Sequence, residues 1–507
     1  MQNSYLAVTV GPIYKTFAQA KKTRAVWASS YLFSWLIKQI VSKAKNDFDL
    51  RLPYFAGDVP GKYGSGLYAD RAYFIGDEIN NQGRLQRIID ATIEELAGDV
   101  GNDCLPFLKS YFNIHLVEIP FKTGDKGEEY PLDEINKLLD HKELKQNYAF
   151  DIERNPLFEY LTKKINDDTI LKKDAFGKNH ERKFKSLPEI ASASLQRQFP
   201  KEYNAALIKD LKNEDIELFD DEKLKSELKP FHKYYAVLYA DGDNISKVLK
   251  NVQKNETDLK EFSKQLFEFG LNAEQRIAEY GGNGIYLGGE DILAFIPIAC
   301  VKEKDDNSIE TIFDLIKKID EDFKNTLGSF ADSKQLSIPT LSYGIMMAYI
   351  KHPLKEAMSK AHDLLEVAKK LGNKKNKIGL CFQKHSGQRM ECFIDKNHHS
   401  SYSNIQDLIK HYVANADEND DLISGVMHRL NDDMFFDLYS TAVIENRIDA
   451  FYDNFFNEDI HKARVDFLNA LKGFSVNTFK DYNDPKAVRS IIFTTLRYIH
   501  FINSNKE

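Results

Sequence analysis

Cysteine is scarce in this chain. There are four in 507 residues, Cys104, Cys300, Cys381 and Cys392, and none forms a C-x-x-C pair. That argues against a structural zinc site and against a disulfide framework, and it suits a reducing cytoplasm. Glycine (26) and proline (14) are too few for a fibrous or low-complexity chain. Long hydrophobic runs are lacking. The best candidate, residues 292–301, falls far short of the roughly 20 residues a spanning helix needs and holds Pro297. No membrane partner is expected. The opening MQNSYLAVTVGP has no basic stretch leading into a long apolar one, so no signal peptide is expected. Neither sign of charge dominates: 69 Lys and Arg against 77 Asp and Glu leave −8. This excludes a surface that is one continuous phosphate-binding patch but leaves room for a local basic groove. What is plentiful is apolar residues, 42% of the chain. At about 150 residues per domain, the length predicts about three domains.

Residues 5–10 (YLAVTV) predict a buried strand ended by Gly11-Pro12, followed by a long helix. A Gly/Tyr/Asp-rich stretch (50–77), a helix over 81–98 and a strand over 111–120 complete a mixed first block. Residues 131–198 are mostly helical in pattern, and 172–185 carry six Lys or Arg against two acids. An acidic surface linker is expected at 214–227. The third block alternates clearly. Strands fit 234–241, 284–289, 291–298 and 340–350, and helices fit 256–280, 308–326 and 353–372. That order, β-α-β-β-α-β with a further helix, is the ferredoxin-like arrangement. Beyond about residue 395 the pattern is helical.

Two acidic clusters carry the chemistry. Asp241-Gly242-Asp243-Asn244 closes the first strand of the third block, and Gly288-Gly289-Glu290-Asp291 forms its hairpin turn. In a ferredoxin-like sheet these meet at one edge. Hard oxygen ligands close together suit Mg²⁺ or Mn²⁺, which take one or two carboxylates plus substrate phosphates. The glycines let a nucleotide approach the backbone. Either motif alone is more often a solvated strand end or an ordinary turn, and Asp243 alone is as well explained as a helix cap. Their pairing favours a site. Lys369 opens a stretch of five Lys and one Glu (366–377). It suits a triphosphate as a point charge, or merely the negative end of a helix.

The motifs VGPIYKTFAQAKKTRAVWASSYLFSWL (10–36), FKSLPEIA (184–191), VLYADGDNISKVL (237–249), IYLGGEDILAF (285–295), YGIMMAYIKHPLKEAMSKAHDLLEVAKK (343–370) and HSGQ (385–388) resemble the large, polymerase-like subunit of type III, Cmr-type, CRISPR–Cas effector complexes. The resemblance implies an α+β fold with two ferredoxin-like, nucleotide-cyclase-like palm domains and two mostly helical domains. The expected limits are 1–125 for the first palm, 126–230 for a helical domain and linker, 231–390 for the catalytic palm and 391–507 for a C-terminal helical domain. It implies other Cmr-type subunits, guide RNA and target RNA as partners. It also implies a target-RNA-activated nucleotidyltransferase that makes an adenylate second messenger from ATP in the cytoplasm. Asp241, Glu290 and Asp291 then correspond to metal-binding, catalytic carboxylates. Gly288, Gly289, Asp243 and Lys369 correspond to the nucleotide-binding set.

Three departures accompany the resemblance. The first palm starts near residue 5, and the only His-Asp dipeptide, His362-Asp363, falls inside a helix. No HD-type nuclease is therefore expected, and His362 is expected on an exposed helix face. The family's Cys-rich zinc site is missing, and GGED replaces GGDD. The first-palm loop GLYADRAYFIGDE (66–78) is acidic through Asp70, Asp77 and Glu78. An acidic acceptor pocket built around Asp70 suits S-adenosylmethionine, whose sulfonium is positive, as co-substrate. The products expected are thus a cyclic oligoadenylate or ATP conjugated to S-adenosylmethionine. The alternatives are a catalytically silent structural subunit and a free-standing diguanylate-cyclase-like enzyme.

Overall fold

The computed structural model describes residues 4–17, 19–55, 57, 64–77, 80–120, 132–144, 155–166, 168–177, 184–213, 227–301, 309–413, 420–455 and 465–504. The first sheet holds β1 (Ser4–Gly11), β2 (Asp49–Leu52), β3 (Arg71–Gly76) and β4 (Asn113–Pro120) in the order β2-β3-β1-β4. All its pairings are antiparallel. Helices Thr23–Ala44 and Asn81–Val100 are the two crossovers. This is the ferredoxin-like order. The long first helix expected after Pro12 is instead two pieces, Ile13–Phe17 and Thr23–Ala44. The first piece closes in a turn, with Gln19 N–H on Thr16 O at 3.3 Å and Ala20 N–H on Phe17 O at 2.9 Å, and Ala20 is buried in the core.

The second sheet holds β5 (Tyr234–Asp243), β6 (Asn283–Tyr286), β7 (Ile292–Pro297), β10 (Thr340–Tyr349), β11 (Lys377–Gln383) and β12 (Arg389–Asp395), in the order β12-β11-β10-β5-β7-β6. A small hairpin, β8 (Ala299–Val301) with β9 (Ile309–Thr311), stands apart. Without β11 and β12 the order is again ferredoxin-like. Those two strands were not anticipated. They extend the sheet to Asp395, past the domain limit expected at 390.

β5 is an apolar run because both its faces are covered; only Tyr239 and Asp241 escape full burial in it. The helix Glu256–Tyr280 starts on Asn255, whose side chain accepts from the N–H groups of Thr257 and Asp258, and stops at Gly281, φ 102°. Thr311 and Asp314 form a capping box on helix Ile312–Phe323, in which the Thr311 N–H and Oγ1 both donate to Asp314 Oδ2, at 2.8 and 2.7 Å. Helix Leu354–Lys370 lies across β10, β11 and β5.

The two palms join through a loop of the first and the edge strand and long helix of the second. Gly66 bridges Tyr286, Leu287 N–H donates to Gly66 O at 2.8 Å, and Ser65 N–H donates to Glu274 at 2.9 Å. The described part beyond residue 398 is helical, ending in Pro485–Asn503. Its Tyr498 hydroxyl donates to Ile298 O at 2.7 Å, tying that block to the second palm.

Candidate active site

Strand pairing sets the site. β5 and β7 run antiparallel from Tyr235↔Pro297 to Ala240↔Ile292. The C-terminal end of β5 therefore lies beside the β6–β7 turn, and DGDN meets GGED. Gly289 takes φ 70°, a left-handed conformation that turns the chain between Leu287 and Asp291. At Gly242 a Cβ would stand 2.7 Å from Cβ of Glu290. The bare glycine between the two aspartates lets the turn close over the strand end, and Glu290 packs there.

A cavity of about 240 Å³ opens at this junction. Asp241 and Asp291 line it from the second palm, and Asp70 lines it from the first. Asp70 was expected in a separate acceptor pocket. The fold places it in the same cavity, where its backbone carbonyl accepts from Val10 N–H at 3.0 Å. Asp77 is exposed, and Glu78 lies outside the described residues. The apolar walls include Phe17, Phe33, Leu293 and Leu365. Among the described lining residues none is Lys or Arg.

Lys369 reaches the site from the end of its helix and pairs with Asp241. Glu290 and Asp243 do not line the cavity. Asp243 is fully buried, and Asn244, not Asp243, is the cap residue of helix Ile245–Val252.

Several groups at this cavity escaped the sequence reading. His362 was expected on an exposed face, yet it lines the cavity, its ring 5.7 Å from that of Tyr239. Glu366, one helical turn on, lines it too. Ser30 also faces it, buried, with no hydrogen-bond partner for its hydroxyl among the described residues. The i, i+4 spacing of His362 and Glu366 was the available signal. Ser30 had none.

Negative charge here is poorly compensated. Burial, with Asp241 adding, pushes the Glu290 carboxyl up to about 7 against the pull of its own backbone and of Lys369. Burial, then Glu290, Asp241 and Asp70, holds Asp291 well above the ordinary carboxylate range. Burial raises Asp70 as well. Water does reach Asp291 through the cavity, so its side chain is exposed. Dense walls surround it at longer range, as befits a carboxylate at the foot of a concavity.

This surplus of carboxylate fits a divalent cation. Among the described residues no three acidic, His or Cys side chains are gathered tightly enough to enclose an ion by themselves. Asp241 and Asp291 would hold one, with the rest of its shell left to water and phosphate oxygens, as Mg²⁺ commonly accepts.

A pH dependence follows. Carboxyls with raised pKa bind protons more tightly folded than unfolded. Their contribution to stability is complete below the ordinary carboxylate pKa near 4, and it is lost as pH rises through the folded values. A cation needs the ionised forms and restores that loss. Mn²⁺ should therefore raise the unfolding temperature by a few degrees at about pH 8 and by much less at about pH 6. Equal shifts at both, measured by scanning fluorimetry, would contradict the placement of the ion at these carboxylates.

The chain is also similar to known proteins. Residues 234–379 match the family model described as Cas10/Cmr2, second palm domain, and residues 5–52 match that of CRISPR-associated protein Cmr2, N-terminal. The chain is 28% identical over 219 residues to the CRISPR system Cmr subunit Cmr2 of Pyrococcus furiosus. That match takes in 36% of this chain and 23% of the relative. Two solved structures share the fold. The Csm1-Csm4 cassette in complex with AMPPNP has a TM-score of 0.53, and the cassette in complex with cA4 has 0.52. Each is 13% identical and covers 98% of this chain and 70% of its own. The resemblance read from the motifs therefore stands, and with it the α+β fold of two palms. No described helix is long and apolar enough to cross a membrane.

Proposed function

We propose that this chain, whose palm and N-terminal segment match those of the Cas10/Cmr2 family, is the nucleotidyltransferase subunit of a type III, Cmr-type CRISPR effector complex. Its partners are then other Cmr-type subunits, guide RNA and target RNA. The domains are taken as 1–125, 126–230, 231–395 and 396–507. One observation carries the reading: Asp241 and Asp291, beside Lys369 and joined by Asp70, converge on a single cavity between two palms. The Csm1 relatives were solved with AMPPNP and cA4, which supports ATP as the donor here.

A bound Mg²⁺ or Mn²⁺ supplies charge stabilisation to a phosphoryl group in transfer. Asp241 and Asp291 would hold that ion in place. Lys369, now on Asp241, is within reach of the same position and suits the outer phosphates as a point charge. An acceptor hydroxyl oxygen forms a bond to the α-phosphorus of ATP and gives up its proton to solvent, the bond from that phosphorus to the bridging β-phosphate oxygen breaks, and pyrophosphate leaves. The buried Ser30 hydroxyl offers one hydrogen bond to a ligand inside the apolar walls.

The cavity favours a cationic acceptor. With Asp241 and Asp291 engaged by the metal, Asp70 and Glu366 remain on its lining, and the described lining residues contain no Lys or Arg. A sulfonium gains Coulomb energy beside these two carboxylates, and a second triphosphate loses it. S-adenosylmethionine is thus the acceptor the lining supports, with a cyclic oligoadenylate as the other product. Mass spectrometry of products from ATP, with and without S-adenosylmethionine, tests this on the assembled complex holding target RNA. Asp70→Asn should lower use of S-adenosylmethionine about tenfold more than use of ATP. Oligoadenylate alone, whatever the S-adenosylmethionine concentration, rejects the conjugate. No product from either rejects the enzyme reading.

A further inference from the structure

The strand end carries two carboxylates on one face of β5, because side chains two residues apart in a strand point the same way. Only Asp241 lines the cavity. Asp243 is 0% exposed, and its Oδ2 accepts three hydrogen bonds. Two come from β10, from Thr340 Oγ1 at 3.0 Å and Ser342 Oγ at 2.8 Å. The third comes from the backbone N–H of Asn376 at 2.9 Å.

Asn376 ends the turn that follows the helix bearing Lys369. It is held in the left-handed region at φ 72°. Its N–H also lies 3.1 Å from Ser342 Oγ, and the next N–H, of Lys377, donates to that oxygen at 3.3 Å. Other ties close the turn. Lys377 Nζ donates to Leu371 O at 2.8 Å, Asn397 Nδ2 to Lys375 O at 2.8 Å, and Lys396 N–H to Asn376 O at 3.0 Å. Leu371 is itself joined to the helix, through its N–H on Val367 O at 3.0 Å. One buried carboxylate thus fastens the end of the Lys369 helix to the strands that carry Asp241 and its register partner Ser342. Hydrogen bonds to an ionised acceptor are about twice as strong as neutral ones. A backbone N–H left unpaired in such a place is costly.

We infer that Asp243 is a positioning residue, which sets Lys369 against Asp241 by tethering the turn 371–376 to the strand end. It touches no substrate and acts through Lys369. The inference rests on the nucleotidyltransferase reading of this site.

The test is a double-mutant cycle in the assembled complex. Asp243→Asn keeps the shape of the side chain but removes its charge. All three hydrogen bonds fall on Oδ2, and Oδ1 has no partner among the described residues, so the amide oxygen takes the place of Oδ2 as a weaker, neutral acceptor while the amide N–H groups are left buried and unpaired. The KM for ATP should rise about tenfold, with kcat within about threefold. In a Lys369→Met background the same change should add less than about twofold, because the interaction it supports is already gone. Hydrogen exchange in the segment 371–377 should quicken in Asp243→Asn and not in Lys369→Met. Full additivity, or an unchanged KM, overturns the inference. If Asp243→Asn does not assemble, Ser342→Ala removes one hydroxyl of the same tether and carries the same cycle. Calorimetry with an ATP analogue bridged by an α,β-methylene group separates the two levels. Absence of binding by the unaltered complex defeats the reading of the site. Binding that Asp243→Asn leaves unchanged defeats only this inference.

Discussion

Asp241→Ala and Asp291→Ala should each lower product formation at least about a thousandfold, equivalent to roughly 4 kcal/mol of transition-state stabilisation. Both side chains line the cavity, and neither is part of a core. Asp241 is paired only with Lys369 among the described side chains in hydrogen-bonding reach, and Asp291 is open to water. Their removal should leave assembly and RNA binding as they were. Glu290→Gln should cost less, about tenfold, because Glu290 packs over Gly242 and acts on the cavity through its charge. The measurement is product formation at saturating Mg²⁺ or Mn²⁺, with complex integrity checked by size-exclusion chromatography. Turnover within about tenfold of the unaltered protein in either alanine variant would remove the two-carboxylate assignment.

That pair was legible in the sequence because both motifs end strands whose pattern is plain. Short apolar runs in β5, β7 and β10, bounded by turn residues, mark strands buried on both faces, and the connection rules of a β-α-β-β-α-β unit leave little choice of order. Asp70 was legible as an acidic loop residue but not as a neighbour of Asp241. Its place depends on how one palm docks on the other, through Gly66 on Tyr286 and Ser65 on Glu274, and no periodicity encodes such a contact. His362 was misjudged for a related reason. A helical wheel gives the face of a residue, yet His362 sits on the flank of the buried stripe, against Tyr239 of β5, where the cavity opens. β11 and β12 were missed because KIGLCFQ and RMECFID are short runs close to a helix and a polar turn, where helix and strand patterns overlap. Asp243 shows the converse limit. A motif named it beside Asp241, but burial and hydrogen bonding give the two aspartates different work.

The helix bearing Lys369, His362 and Glu366 sits so close to its sheet that one atom group decides its position. At Gly344 in β10 a Cβ would stand 2.0 Å from Ala361 O and 2.5 Å from Leu365 N. At Gly379 in β11 it would stand 2.7 Å from Leu364 O. These neighbours are backbone, so no side chain can rotate aside, and the helix itself must lift. Overpacking of ordinary cores costs about 1–3 kcal/mol, and here the strain falls on a rigid element. Gly344→Ala should therefore destabilise the palm by about 4 kcal/mol and lower its unfolding temperature by roughly 10 °C. It should also draw Lys369 off Asp241 and raise the KM for ATP, since Leu365 and Glu366 of the same helix form the cavity wall. Gly425→Ala is the matched comparison. That glycine is exposed in helix Asp420–Leu430, and a Cβ there meets nothing within 4 Å. It should leave stability unchanged or raise it by up to about 1 kcal/mol through helix propensity. Calorimetry of both variants decides the matter. If Gly344→Ala unfolds within about 2 °C of the unaltered protein, the close approach of helix and sheet does not hold the cavity wall in place.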